Sequence, residues 1–404
     1  MEDEGEGEGG TLNCAPSAVA DAGNGPPLMR RPCADAVAPE GETQVEATLH
    51  LGVVDQSPVR AGGTAADALR ETIALAVATE TMGYERYWVA EHHSAPNFAG
   101  TSPEILVGQI AAHTQRIRVG SGGVMLSHYS AFKVAENFRL LETLYPGRID
   151  LGIGRAPGSD HLTAAALSYP GRPRDISHFP EQITDLLGYL GDHLDPQHPF
   201  AAAHAGPGKG TMPEVWLLGS RTESAYLAAM LGLPFSYAHF FAIAVEDGPA
   251  IVEGYRRHFR PSAYLSEPRV SVGVHVLCAE TEAEARRLAT SRNLAKLKTA
   301  LGQRGGVPSV ETALAYRYSP QELAYIAEFS RSYVDGNPQQ VKAGLEAIAE
   351  QYKTTDISIV TICYGFAERV RSYELVAEVC GLKPQVTSTA SHLPSEESVK
   401  KCAS

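Results

Sequence analysis

An alternation along the chain constrains its fold more than any other feature. Eight short runs of β-branched and apolar residues recur, and most are followed by an amphipathic stretch. The runs cover residues 49–54, 86–90, 117–124, 149–154, 215–218, 233–237, 270–279 and 357–363. Strands separated by helix-length connections pair in parallel, and the helices then cover the sheet. Eight such units suit closure into a single TIM-type (β/α)₈ barrel. An open doubly wound sheet is the competing arrangement. It calls for a glycine-rich dinucleotide turn after the first strand, and Val53-Val54-Asp55-Gln56-Ser57-Pro58 holds no glycine. Two further helical stretches, near residues 280–301 and 320–333, predict an insertion before the last strand.

The helices have readable faces and ends. In the first, predicted over residues 64–82, Leu69, Ile73, Val77 and Thr81 recur four apart and predict the inward face. Thr101-Ser102-Pro103 predicts a helix start with a hydroxyl cap ahead of proline. Asp335-Gly336-Asn337-Pro338 opens another, with Val341, Leu345, Ile348 and Tyr352 on one side.

Charge and composition narrow the function. The net charge is -13, and residues 1–46 hold ten acids against Arg30 and Arg31. That segment lacks hydrophobic periodicity and reads as a disordered acidic tail; residues 383–404 read likewise, leaving 47–382 for the barrel. No basic stripe is present to neutralise a phosphate backbone, which speaks against nucleic acid. The six cysteines show no CxxC spacing, so neither a zinc site nor a disulfide framework is expected. The acidic start opposes a signal peptide, and no apolar run is long enough for a membrane span. A cytoplasmic protein is the expectation.

Barrel enzymes gather their chemistry at the C-terminal ends of the strands. The second predicted strand ends Glu91-His92-His93. Neighbouring strand side chains point to opposite faces, so the histidine pair is a poor metal site, and no third ligand is evident. Either histidine is open to an acid–base role or to a hydrogen-bonded place in the core. The third strand ends Gly120-Ser121-Gly122-Gly123, where glycines mark a bulge or the approach of something flat. Arg155, set among glycines after the fourth strand, suits an anion or a surface ion pair. After the fifth, Gly219-Ser220 precedes a helix start; phosphate binding and plain capping by Ser220 or Thr222 are both open. The sixth ends Tyr237-Ala238-His239-Phe240-Phe241, consistent with an apolar pocket mouth. GxSxG, HExxH and P-loop patterns are missing from the sequence, which leaves hydrolase, zincin and kinase readings without support.

Three blocks then identify a likeness. WVAEHHSAP through IRVGSGGVMLSHYSAFKVAENFRLLETLYPGRIDLGIGRAPGSD, then LLGSRTESAYLAAMLGLPFSYAHF, then the run from DGNPQQ to VAEVCGL resemble the bacterial-luciferase-like flavin-dependent monooxygenases. The blocks span residues 49–382 in family order. The resemblance implies a (β/α)₈ barrel binding FMN, or in some branches a deazaflavin, at its C-terminal mouth. It implies that Gly122 and Gly123 form the strand site of a non-proline cis peptide beneath the flavin ring. Arg155 would then bind the phosphate, Ser220 with its neighbours Gly219 and Ser224 would complete that site, and His92 would be the catalytic histidine.

It further implies reduced FMN from a separate reductase, reaction with O₂ through a C4a-hydroperoxyflavin, and oxygenation of a small apolar substrate, an aldehyde in the luciferase case. Family members often dimerise through barrel helices, so a homodimer is allowed. Two alternatives keep the fold: deazaflavin-dependent hydride transfer, and a flavin-binding subunit without turnover. Retention of His92, Arg155 and Ser220 argues against the second. Two departures stand out. Relatives often carry a histidine where this chain has Phe240, and the acidic tail is not a family feature.

Overall fold

The computed structural model of the protein describes residues 48–156, 160–241 and 247–383. The predicted tails, 1–46 and 383–404, lie outside the described residues apart from Lys383. Nine strands occur in chain order: β1 His50–Asp55, β2 Arg86–Val89, β3 Arg118–Met125, β4 Ile149–Gly154, β5 Glu214–Gly219, β6 Phe235–Tyr237, β7 Val270–Cys278, β8 Val334–Gly336 and β9 Asp356–Val360. Strands β1 to β7 pair each with the next, in parallel; β7 then pairs with β9 and β9 with β1, closing a ring of eight. The eight predicted strands are the eight of the ring. The short β8 was not predicted; it pairs only with the outer half of β7, Val276 opposite Val334. Its sequence, Val-Asp-Gly, has too few residues to show a period.

Twelve α-helices are described. They are α1 Ala65–Met82, α2 Pro103–His113, α3 Ala131–Leu144, α4 His161–Ser168, α5 Phe179–Leu190, α6 Thr222–Leu231, α7 Gly248–His258, α8 Glu282–Ala300, α9 Val310–Ala315, α10 Pro320–Ser330, α11 Pro338–Tyr352 and α12 Phe366–Val379. The predicted insertion is α8–α10 with β8. Among the described residues no helix is long and apolar enough to cross a membrane. Helix α11 buries the four residues its period predicts, and Asn337 caps it in a box with Gln340. Two readings are corrected. The N-cap Ser102 of α2 makes no side-chain cap bond. Helix α1 buries Ala68, Thr72, Leu75, Ala76, Thr79 and Glu80, while Val77 and Thr81 are exposed. Polar residues take the inner face of α1 because they have work there. Glu80 accepts the N–H groups of Gln115, Arg116 and Ile117 at 2.6–3.0 Å, and the Thr72 hydroxyl donates to Ser57.

The N-terminal half of the barrel interior is filled by charge. The Asp150 carboxylate, fully buried on β4, accepts from Arg118 Nε at 2.8 Å and from the Trp88 indole at 2.9 Å. Arg86 lies 3.3 Å from it and donates to Asp356 at 2.9 Å, and Arg269 donates to Glu214 at 2.9 Å. Arg86 and Arg269 both stack on the Trp216 ring, which meets Trp88 edge-on at 5.4 Å. Replacing Asp150 by alanine removes the buried carboxylate shared by Arg118, Arg86 and the Trp88 indole, though Arg86 keeps Asp356 and Arg118 keeps Glu214, and should cost roughly 3 kcal/mol. Urea midpoints check this. Asp150→Asn, which keeps an acceptor for Trp88, should lose less.

Candidate functional site

Above Trp88 the barrel opens into a cavity of about 310 Å³, the size of a small-ligand pocket. Strand ends form its wall: Val54 of β1, Trp88 of β2, Gly122 and Gly123 of β3, Gly154 of β4, Leu218 and Gly219 of β5, and Gly273 of β7. Phe240, Phe241, Ile176 and Met125 make its rim apolar. Among the described residues, none that lines it is acidic.

The glycines are there because the wall is crowded. The Gly122–Gly123 peptide is cis, and the pairing of β3 with β4 slips by one residue between Gly122 and Val124. A Cβ on Gly123 would stand 2.6 Å from Leu218 Cδ1 and 2.7 Å from the Gly152 carbonyl; one on Gly122 would stand 3.1 Å from the Trp88 Cβ. Strand packing therefore accounts for both glycines, and their backbone is left facing the cavity. Gly219 is required in the same way, since a Cβ would fall 2.5 Å from that of the buried Ser224.

Positive potential gathers at one end. Arg155, Ser220, Arg221 and Ser224 line the cavity beside the first turn of α6. The N-cap of α6 is Arg221, whose side chain makes no cap bond, while the first-turn Glu223 carboxylate takes its own backbone N–H. Capping by Ser220 or Thr222, one of the two readings of this turn, is therefore not what the turn does. Uncapped N–H groups and the positive end of the helix dipole suit an anion. Arg155 meets Glu223 at 3.4 Å, the other reading of that residue, but Glu223 is 64% exposed and such a pair is weak.

Six of the seven predicted site residues, Gly122, Gly123, Arg155, Gly219, Ser220 and Ser224, thus line one cavity. His92 is not among the lining residues. Its ring stacks on Phe98 at 4.6 Å, and Phe98 packs against the apolar cluster that includes Val54 and Trp88 of the wall. Its Nδ1 is buried and has no hydrogen-bond partner. His93 points away, with Nε2 2.7 Å from Glu91 Oε1. His239 also turns from the cavity, to the Tyr352 hydroxyl at 2.8 Å, while Phe240 lines it. Among the described residues no group of three His, Cys, Asp or Glu could hold a metal ion.

Glu91 was missed by sequence reasoning. Its buried carboxylate accepts the Met125 N–H at 2.9 Å and the Tyr129 hydroxyl at 2.7 Å, tying the end of β2 to the turn after β3. An acid directly after an apolar strand was the available signal, and its partners are 34 and 38 residues away.

Burial disfavours the His92 cation, outweighs the pull of Glu91, and lowers its pKa from 6.5 to about 4. The imidazole should be neutral in nitrogen NMR spectra at about pH 5.5, where an ordinary histidine is mostly charged. Between the two pKa values the unfolded chain binds the extra proton. Stability should therefore fall as pH drops from 6.5 toward 4, and His92→Gln should flatten that slope.

Comparison with known proteins agrees with this geometry. Residues 49–355 match the family model described as luciferase-like monooxygenase. The chain is 48% identical to the uncharacterized protein YwcH of Bacillus subtilis (strain 168), over 81% of this chain and 98% of that one. It is 37% identical to the N-acetyl-S-alkylcysteine monooxygenase of the same organism, over 82% and 98%. Among solved structures, apo-MsnO8 superposes with a TM-score of 0.76 at 38% identity, covering 84% of this chain and all of that one.

Proposed function

The chain belongs to the luciferase-like monooxygenase family, and from that premise we propose that it uses reduced FMN and O₂ to oxygenate a small, largely apolar organic substrate. One observation weighs most. A guanidinium and an uncapped helix start meet at one end of an apolar cavity whose wall is bare glycine backbone. That pairing of a charged end with a flat apolar wall fits a phosphorylated, planar cofactor.

The residues fit FMN part by part. Arg155, Ser220 and the free N–H groups of α6 would hold its phosphate. Gly122 and Gly123 would back its ring, since no side chain stands between their backbone and the cavity. When bound and reduced, FMN supplies the electrons that activate O₂ for oxygen transfer. The chain's own residues do the rest. Trp88, Phe240, Phe241 and Ile176 exclude water from the reacting region. His92, neutral at physiological pH and one ring behind the wall through Phe98, with Nδ1 unpartnered among the described residues, would take and return a proton for that region. The substrate is an aldehyde, as in luciferases, or an alkyl thioether, as the name of the 37%-identical relative suggests.

An absorbance-monitored FMN titration tests the phosphate assignment. Arg155→Ala should weaken binding by at least about ten-fold, as loss of a charge-assisted phosphate contact does. Equal binding by both proteins would sink it. For the reaction itself, oxygen uptake with chemically reduced FMN should yield oxidised product from decanal or an N-acetyl-S-alkylcysteine. His92→Asn should lower that yield by roughly 10²-fold or more while leaving FMN binding near wild type. Oxygen uptake giving only hydrogen peroxide, with every substrate tried, would count against the proposal.

A further inference from the structure

Opposite the glycine wall, the cavity has a second face. In the ring of eight strands β7 stands four places from β3 in either direction, so the two lie across the barrel from one another. Gly122 and Gly123 of β3 line the cavity on one side, and Gly273 of β7 lines it on the other. The space in front of Gly273 is filled by a ring. A Cβ on Gly273 would stand 2.7 Å from Phe240 Cε1 and 2.9 Å from its Cδ1. The Phe240 ring thus takes the room that a side chain at position 273 would need, and it carries this wall forward into the cavity.

Neighbours on several sides keep the ring from retreating. The Phe241 ring lies 4.7 Å from it and the His275 ring 5.9 Å. His275 is itself buried, with Nδ1 3.3 Å from the Val360 carbonyl. Phe240 also packs against the apolar cluster that includes Trp88, Val360 and Ile362. Close packing of this kind holds a side chain in one place. The cavity, at about 310 Å³, is at the small end of the range for ligand sites. A planar cofactor backed by Gly122 and Gly123 would fill its middle. What remains is the gap between the open face of that cofactor and the Phe240 ring, and neither position 240 nor 273 offers a polar group there.

We propose that Phe240, seated on Gly273, is the residue that sets substrate shape. Its ring narrows the space over the open face of the cofactor to a slot. The slot admits a single unbranched alkyl chain and turns away cyclic and branched bodies, so the substrate class is straight-chain alkyl compounds. This deepens, and rests on, the monooxygenase reading of the cavity.

Calorimetry on the oxidised, FMN-loaded protein tests the slot without turnover. The probes are octan-1-ol and cyclooctanol, which carry the same number of carbons and one hydroxyl each. Octan-1-ol should bind at least about ten-fold more tightly, because a misfit of even a methylene in an apolar pocket costs that much. Phe240→Ala should bring the two affinities together by admitting cyclooctanol. In Gly273→Ala the new methyl must push the Phe240 ring into the slot, and octan-1-ol binding should weaken by at least about ten-fold. Adding Phe240→Leu to Gly273→Ala removes the ring edge that the methyl meets. Most of the lost affinity should then return, which a general loosening of the barrel would not allow. Equal affinities in the wild type, no binding of either alcohol, an unchanged preference in Phe240→Ala, or no recovery in the double variant would each overturn the slot. Where Gly273→Ala does not fold, the preference shown by Phe240→Ala decides alone. FMN uptake is followed separately by absorbance. Its absence would sink the flavin reading and the slot with it, whereas uptake without selectivity between the alcohols would sink the slot alone.

Discussion

Asp150 divides its carboxylate between Arg118 and the Trp88 indole, with Arg86 close by, and the upper architecture depends on that sharing. Removing such groups from water costs several kcal/mol per ion, and the loss is recovered only where the geometry pairs them closely. Here three arginines, three acids and the Trp216 ring interlock across β2, β3, β4, β5, β7's approach and β9. The interlock fixes the Trp88 ring, and Trp88 is part of the cavity wall. A charged base thus positions an apolar floor.

Above that floor the site is built by omission. Glycines at 122, 123 and 219 lie where neighbouring atoms leave no room for a Cβ, so backbone faces the cavity. Helix α6 begins without an N-cap side-chain bond, and of its first-turn N–H groups that of Glu223 is taken by its own carboxylate. Ser220 and Ser224 add hydroxyls without adding charge. The guanidinium groups of Arg155 and Arg221 then make that end attractive to an anion.

The mouth also separates functions among adjacent residues. Glu91, His92 and His93 follow one another, yet the first anchors the turn after β3, the second stacks on Phe98 and the third pairs with Glu91. On the opposite side, Phe240 reaches into the cavity while His239 beside it turns to Tyr352.

Local periodicity and turn chemistry were enough to predict the eight ring strands, the insertion and the buried face of α11, while the family followed from the resemblance of three sequence blocks. Strand-end positions drew attention to Gly122, Gly123, Arg155, Gly219 and Ser220, because a barrel brings all strand C-termini to one face whatever its details, and the family resemblance added Ser224 and a common role. On α1, Leu69 and Ile73 pack against the core as expected but Val77 and Thr81 are exposed, and Thr72 and Glu80 are buried by partners on other elements. Glu91, the direction taken by each histidine, the uncapped start of α6 and the seating of Phe240 on Gly273 were decided by tertiary structure alone. Each depends on groups far apart in the chain meeting at a few ångströms, and no local pattern of residues encodes that distance.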